Sequence, residues 1–308
     1  MSATPPLFLR GAPPTPVSLR TFCRALLRKY AWLPMLMLLG VVVGLILLLR
    51  SCHTSAFLTC SIATSITTAF AAGYALRMNG QWPRLHDFRR WEYAEVWNAL
   101  SFTRQNAEIA ATGVAGEAAL TTSGAEIATR IAAAVAIKKT DDVLEIGCGV
   151  GRVGSAMVVL SRSWIGCDIS AKMTLHARNR LAGIPNAHVL HLCVSGLREI
   201  QGNSIDVVYC TNALPHLDQT ERWLYVKEAY RVLRPGGRLY IDTVALDTPD
   251  GWAMITNNLI QRGCGMHPPY APTPSTPDEL LAYYVKAGFS TAHVEHHGSL
   301  IIAIGLKP

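Results

Sequence analysis

The sequence predicts an α/β domain with a doubly wound, mostly parallel sheet, preceded by a helical hairpin in a membrane. Three observations carry this expectation. Helix and strand patterns alternate regularly from Ser123 onward. One apolar strand runs into a glycine-rich loop, and the next ends in an aspartate. Two uncharged apolar runs lie close to the N-terminus.

Residues 1–30 read as a basic tail, Pro-rich and without periodicity over its first twenty residues. Residues 31–77 read as the membrane anchor. Leu33 to Leu49, LPMLMLLGVVVGLILLL, carries no charge and is near the lower length limit for a span, about 17 residues. Ala56 to Leu76 is also uncharged but rich in Ser and Thr, a composition common where two membrane helices pack together. A buried soluble helix is the other reading of that second run. Five basic residues precede Leu33, and Arg77, Arg84, Arg89 and Arg90 follow Leu76, whereas the link between the runs holds only Arg50. The positive-inside rule then gives a hairpin with both ends, and the C-terminal domain, on the cytoplasmic side of the membrane. The apolar run starts too late for a cleaved signal peptide, while the Arg-rich, acid-free start also fits a mitochondrial transit peptide.

The net charge of +7 belongs to this region. Eight basic residues precede Asp87, the first acid, leaving 20 basic against 21 acidic residues beyond. A near-neutral folded domain argues against a nucleic-acid acceptor. None of the eight cysteines forms a C-x-x-C pair, so no zinc site is expected, and His293, His296 and His297 on a terminal strand have no ligand cluster nearby.

Residues 78–122 form a helical cap, with RRWEYAEVWNAL as an amphipathic helix bearing Trp91, Tyr93 and Trp97. The main domain then runs over 123–308. GAEIATRIAAAVAI reads as a helix and DVLEI (142–146) as a strand ending in glycines. GRVGSAMVVLS opens the next helix, and SWIGCD (163–168) is the second strand. Ser170 caps the helix SAKMTLHARNRLA, and AHVLHL and SIDVVYC give strands three and four. Asp218 and Glu221 cap TERWLYVKEAYRVL, and RLYIDTV follows PGG. A Pro- and Gly-rich loop, 247–275, reads as a lid or a surface excursion. Thr276, Pro277 and Glu279 start a helix that ends at Gly288, and two strands near 290–296 and 299–306 close the chain.

Gly147-Cys148-Gly149-Val150-Gly151-Arg152 spaces its glycines as G-x-G-x-G, and Arg152 stands where a dinucleotide fingerprint needs glycine. The glycines allow a sharp turn and close ligand approach, and the following helix is expected to present free N–H groups. Asp168 can accept bonds from both ribose hydroxyls of an adenosine. Glu145 adds an acid that suits a cationic ligand better than a pyrophosphate.

VLEIGCGVGR with WIGCDIS resembles the first two motifs of class I S-adenosylmethionine-dependent methyltransferases. SIDVVYCTNALPHLD and RVLRPGGRLYID are similar to that family's later motifs. The resemblance covers about residues 120–308 and implies a Rossmann-like methyltransferase fold, seven strands with the last antiparallel. It gives Gly147, Gly149 and Gly151, with Cys148 between them, the amino-acid end of the cofactor, S-adenosylmethionine. It gives Asp168 the ribose and Ile169 the adenine. The family's acidic or amide residue after strand three is missing; Val194 and Ser195 stand there, and Ser195 could accept the bond instead. Asn212 faces the cofactor or caps a turn. His216, in ALPHLD, is the candidate general base, or else orders its loop.

The leading reading is therefore a membrane-anchored methyltransferase acting on a small-molecule or lipophilic acceptor. A non-catalytic binding protein on the same fold and a protein methyltransferase remain alternatives. The sequence leaves the acceptor, the atom methylated and the oligomeric state open.

Overall fold

The computed structural model describes residues from Leu85 onward, except 114, 194–195 and 263–269, with side chains described from Tyr93. The two uncharged runs, 33–49 and 56–76, lie outside the described residues. Among the described residues, no helix is long and apolar enough to cross a membrane. Arg89–Pro308 belong to one compact unit, and Pro14–Phe88 to another, nearly all of it outside the described set.

Three helices lead in: α1 (Leu85–Leu100), α2 (Arg104–Thr112) and α3 (Glu117–Ala134). The expected boundary at 123 falls inside α3. Then follow β1 (Asp142–Ile146), α4 (Gly154–Met157), β2 (Ser163–Asp168), α5 (Ala171–Arg180), β3 (Ala187–His191) and β4 (Ile205–Thr211). A 3-10 turn (Leu214–His216) leads to α6 (Gln219–Val232), β5 (Leu233–Val244), α7 (Pro249–Arg262), α8 (Pro277–Ala287), β6 (His293–His297) and β7 (Leu300–Leu306).

The strands form one seven-stranded sheet in the order β3-β2-β1-β4-β5-β7-β6. β7 runs antiparallel to both neighbours, and the other pairings are parallel. Strand alternation sorts the core onto two faces. Leu144, Ile146, Val208 and Cys210 pack with Val226 and Ala229 of α6 and with Leu280 and Tyr284 of α8. Val143, Val207, Tyr209 and Tyr240 pack with Ala128 and Ile131 of α3 on the other face. At about 25 cal/mol per Å² of buried apolar surface, this two-sided packing is the main force holding the sheet between its helices.

The predicted caps form. Ser170 accepts the Met173 N–H, Asp218 the Glu221 N–H and Thr276 the Glu279 N–H, and Gly288 closes α8 in the left-handed region. Two expectations are corrected. The helix after the glycine loop is a single turn: its N-cap residue, Val153, offers no side-chain cap, and the chain must reach β2 across few residues. The first half of the 247–275 segment is the helix α7. It is seated through Gly251, which packs so closely on the Ala245 and Leu246 backbone that no side chain would fit.

Candidate cofactor and active site

Because β1, β2, β4 and β5 are parallel, the segments that follow them gather at one edge of the sheet. The glycine loop, Asp168, Asn212 and His216 all lie there.

Gly147, Gly149 and Gly151 all have positive φ, at 74°, 53° and 74°. A side chain at Gly147 would fall on the Ala213 methyl, so the loop rests directly against the turn after β4. Over Gly149 the space is open: a Cβ there would meet only the Ala111 methyl, 3.9 Å away. That opening suits close ligand approach. The N–H groups of the glycines themselves are engaged within the protein. The Gly147 and Cys148 N–H groups donate to the Cys167 carbonyl (2.8 and 3.0 Å), and the Gly151 N–H donates to the Cys148 carbonyl (2.9 Å). The Gly149 N–H donates to Asp168 Oδ2 (2.9 Å). The loop's glycines therefore serve as turn and clearance, not as an anion cradle. The Cys148 side chain is buried, and burial pushes its thiol pKa up.

Asp168 also accepts the Ser170 N–H on Oδ1 at 2.8 Å. Each carboxylate oxygen thus carries one backbone N–H, which fixes the plane of the carboxylate at the strand end. Ile169 is partly buried against the core, and its carbonyl accepts from His191 Nε2 at 3.1 Å. Ser195 and Val194 lie outside the described residues.

Glu145, the acid before the first glycine, points into the protein. It is 2% exposed, and its Oε2 accepts the Tyr209 hydroxyl at 2.7 Å. That hydroxyl in turn accepts the Trp164 indole N–H at 2.9 Å. Burial raises its pKa to about 8, against the opposing pull of the Tyr209 hydrogen bond and of Arg152. The physical reason is strand parity. Glu145 shares the face of Val143 and Tyr209, and on that face the sheet is covered by α3.

Asn212 sits at φ 58°, a conformation asparagine tolerates better than most residues. Its N–H donates to Asp242 Oδ1 at 3.3 Å, and the Thr211 hydroxyl donates to the same oxygen at 2.8 Å. Asp242 is fully buried and also takes Arg130 Nη2 and the Tyr240 hydroxyl, each at 3.1 Å. Sequence reasoning passed over Asp242 as part of the strand RLYIDTV. The signal was a lone carboxylate near the end of an apolar strand, which folding tolerates only when the charge is paired.

His216 is half-buried on the 3-10 turn. Its ring meets the Trp97 indole nearly perpendicularly, with centroids 4.8 Å apart and an interplanar angle of 82°. Trp97 comes from α1, whose C-terminal end is clipped to the turn after Asp168. Asn98 Oδ1 accepts the Ser170 hydroxyl (2.9 Å) and the Lys172 N–H (3.1 Å), and the Ser101 carbonyl accepts from His176 Nε2 (3.0 Å). One helix thus ties the turn that follows Asp168 to the candidate base. His296, by contrast, pairs with Asp247 at 3.4 Å on β6.

Residues 143–237 match the family model described as a methyltransferase domain. Among curated proteins, the chain is 30% identical over 141 residues to the 27-O-demethylrifamycin SV methyltransferase of Amycolatopsis mediterranei, a match covering 44% of this chain and 51% of that protein. It is 35% identical over 103 residues to a probable S-adenosylmethionine-dependent methyltransferase of Mycolicibacterium smegmatis, covering 33% of this chain and 37% of that one. Among solved structures it is similar to the YcgJ protein of Bacillus subtilis, with 17% identity, 59% of this chain and 98% of that chain covered, and a TM-score of 0.48. The chain spans about half or less of the curated relatives it matches.

The sheet order and the glycine loop agree with what the resemblance to class I S-adenosylmethionine-dependent methyltransferases implies, and residues 143–237 carry the methyltransferase-domain match. S-adenosylmethionine is the cofactor that this domain implies.

Proposed function

We propose that the chain is an enzyme that passes the S-adenosylmethionine methyl group to a small-molecule or lipophilic acceptor, and that residues 31–77 hold it at a membrane with the domain on the cytoplasmic side. The observation that carries the catalytic reading is the convergence of the glycine loop, Asp168 and His216 on one sheet edge, with open space over Gly149.

When bound, the cofactor supplies an electrophilic methyl on a sulfonium. Asp168 holds the ribose hydroxyls. Ile169 lies against the adenine, and the glycines let the methionine end approach the backbone. Asn212, fixed by the buried Asp242, borders the methyl-bearing end. His216 takes the acceptor's proton as the new bond forms, and Trp97 holds the imidazole in place. Positioning of acceptor and methyl supplies much of the acceleration.

The name of the Amycolatopsis relative supports a small-molecule acceptor. The membrane reading rests on the two uncharged runs and their basic flanks. The test is to incubate the full chain with methyl-labelled S-adenosylmethionine and a fractionated cell extract. Label in the small-molecule or lipid fraction is the expected result. Label confined to protein would move the reading to a protein methyltransferase, and no transferred label would leave a binding protein.

A further inference from the structure

The edge of the sheet that carries the site also carries an aromatic-bearing rim. α7 follows the carboxyl end of β5, so it lies at that edge. Its inner face is made by Gly251, Met254 and Asn258, and the Asn258 amide donates to the Pro272 carbonyl at 2.8 Å. The opposite face presents Trp252, Thr256 and Leu259 at a spacing of four and three residues, with Trp252 60% and Leu259 56% exposed. A solvated helix face normally carries charge, and the described side chains of this one carry none.

Across the cleft, Phe102 is 70% exposed and lies 5.3 Å below the Lys172 ammonium, on the helix that starts just after Asp168. Phe102 and Trp252 are the exposed Phe, Tyr or Trp side chains among the described residues. β2 and β5 are separated by three strand steps, roughly 14 Å. The two aromatics therefore flank the ground above β1 and β4, where the loop and Asn212 sit.

We propose that this rim is a bilayer-docking surface: Trp252, Leu259 and Phe102 enter the headgroup–acyl boundary, and Lys172 faces anionic headgroups. The inference rests on the membrane placement proposed above. A bilayer is the occupant that fits, because the same chain carries two uncharged runs just before the domain, and because aromatic, aliphatic and lysine side chains together are the composition of membrane interfaces. A lipophilic acceptor then passes from the bilayer to the edge of the sheet that carries the site without crossing water.

The test reconstitutes the full chain into phosphatidylcholine–phosphatidylglycerol vesicles, with and without brominated acyl chains. The Trp252 signal is the fluorescence difference between wild type and Trp252→Phe. Brominated lipid should lower that difference by about half or more, as for an indole at headgroup level. If the chain floats with the vesicles and the Trp252 signal is unchanged, the docking surface is refuted while the anchor stands. That result would leave the face to a protein partner. If the chain does not float with vesicles at all, both the anchor and the docking surface fall.

Discussion

Asp168 Oδ2 receives the Gly149 N–H at 2.9 Å, so the acid that would hold the ribose also holds the glycine loop in shape. Its loss should therefore be felt twice. Asp168→Ala should weaken S-adenosylmethionine binding by about 1.5–3 kcal/mol, the range for hydrogen bonds to a charged group. Asp168→Asn keeps an acceptor and should recover part of it. Titration calorimetry of the full chain in detergent measures both, and equal affinities for wild type and Asp168→Ala would remove the ribose assignment.

Gly147→Ala places a methyl on Ala213 at a φ of 74°. Strain and overpacking of this kind cost about 1–3 kcal/mol each. The variant should melt earlier and bind cofactor more weakly. Unchanged melting would show that the turn after β4 yields freely.

Trp97 and His216 should behave as a unit. For an acceptor that keeps its proton until transfer, His216→Ala should lower the single-turnover rate by about 10²–10⁴. Trp97→Ala leaves the base in place but loosens it, and should lower the rate less, with cofactor affinity barely altered in either variant. Rates within about threefold of wild type for His216→Ala would leave that residue as a loop-ordering group.

Glu145 gives the fold a pH dependence with a definite sign. Its carboxyl is held up to about 8 by burial, against an ordinary value of 4.5. Below pH 4.5 both folded and unfolded chains keep the proton, and the fold pays nothing. Between 4.5 and 8 the unfolded chain releases a proton that the folded chain retains. Stability should then fall with rising pH, by at most about 1.4 kcal/mol per unit, and level off above 8. Glu145→Gln should lose this slope. Urea unfolding at pH 5.5 and 7.5 checks it, and parallel curves for wild type and variant would contradict the buried, protonated state.

β1 and β2 were legible to the residue, because each is a short apolar run bounded by turn chemistry. The caps at Ser170, Asp218 and Thr276 were legible because a single side chain and a fixed offset define them. The loop's true hydrogen bonding was not. Donors at 147, 148 and 149 go to Cys167 and Asp168, about twenty residues on, and no local pattern announces that. Nor did the sequence show how deeply Glu145 is buried, since acid character is visible in a string while strand parity against a covering helix is not. The same holds for Trp97. Helical spacing shows an aromatic stripe, but only the clip from Asn98 and Ser101 to the region after Asp168 sets it against His216. α7 was hidden by the Pro and Gly that flank and open it.

The central claim is that this domain binds S-adenosylmethionine at the edge where the glycine loop meets Asp168. The most direct measurement is a calorimetric titration of the purified full chain with S-adenosylmethionine and its demethylated product. The account predicts binding of both at one site with micromolar affinity, roughly −8 kcal/mol. No binding of either ligand to the folded wild-type chain would contradict it.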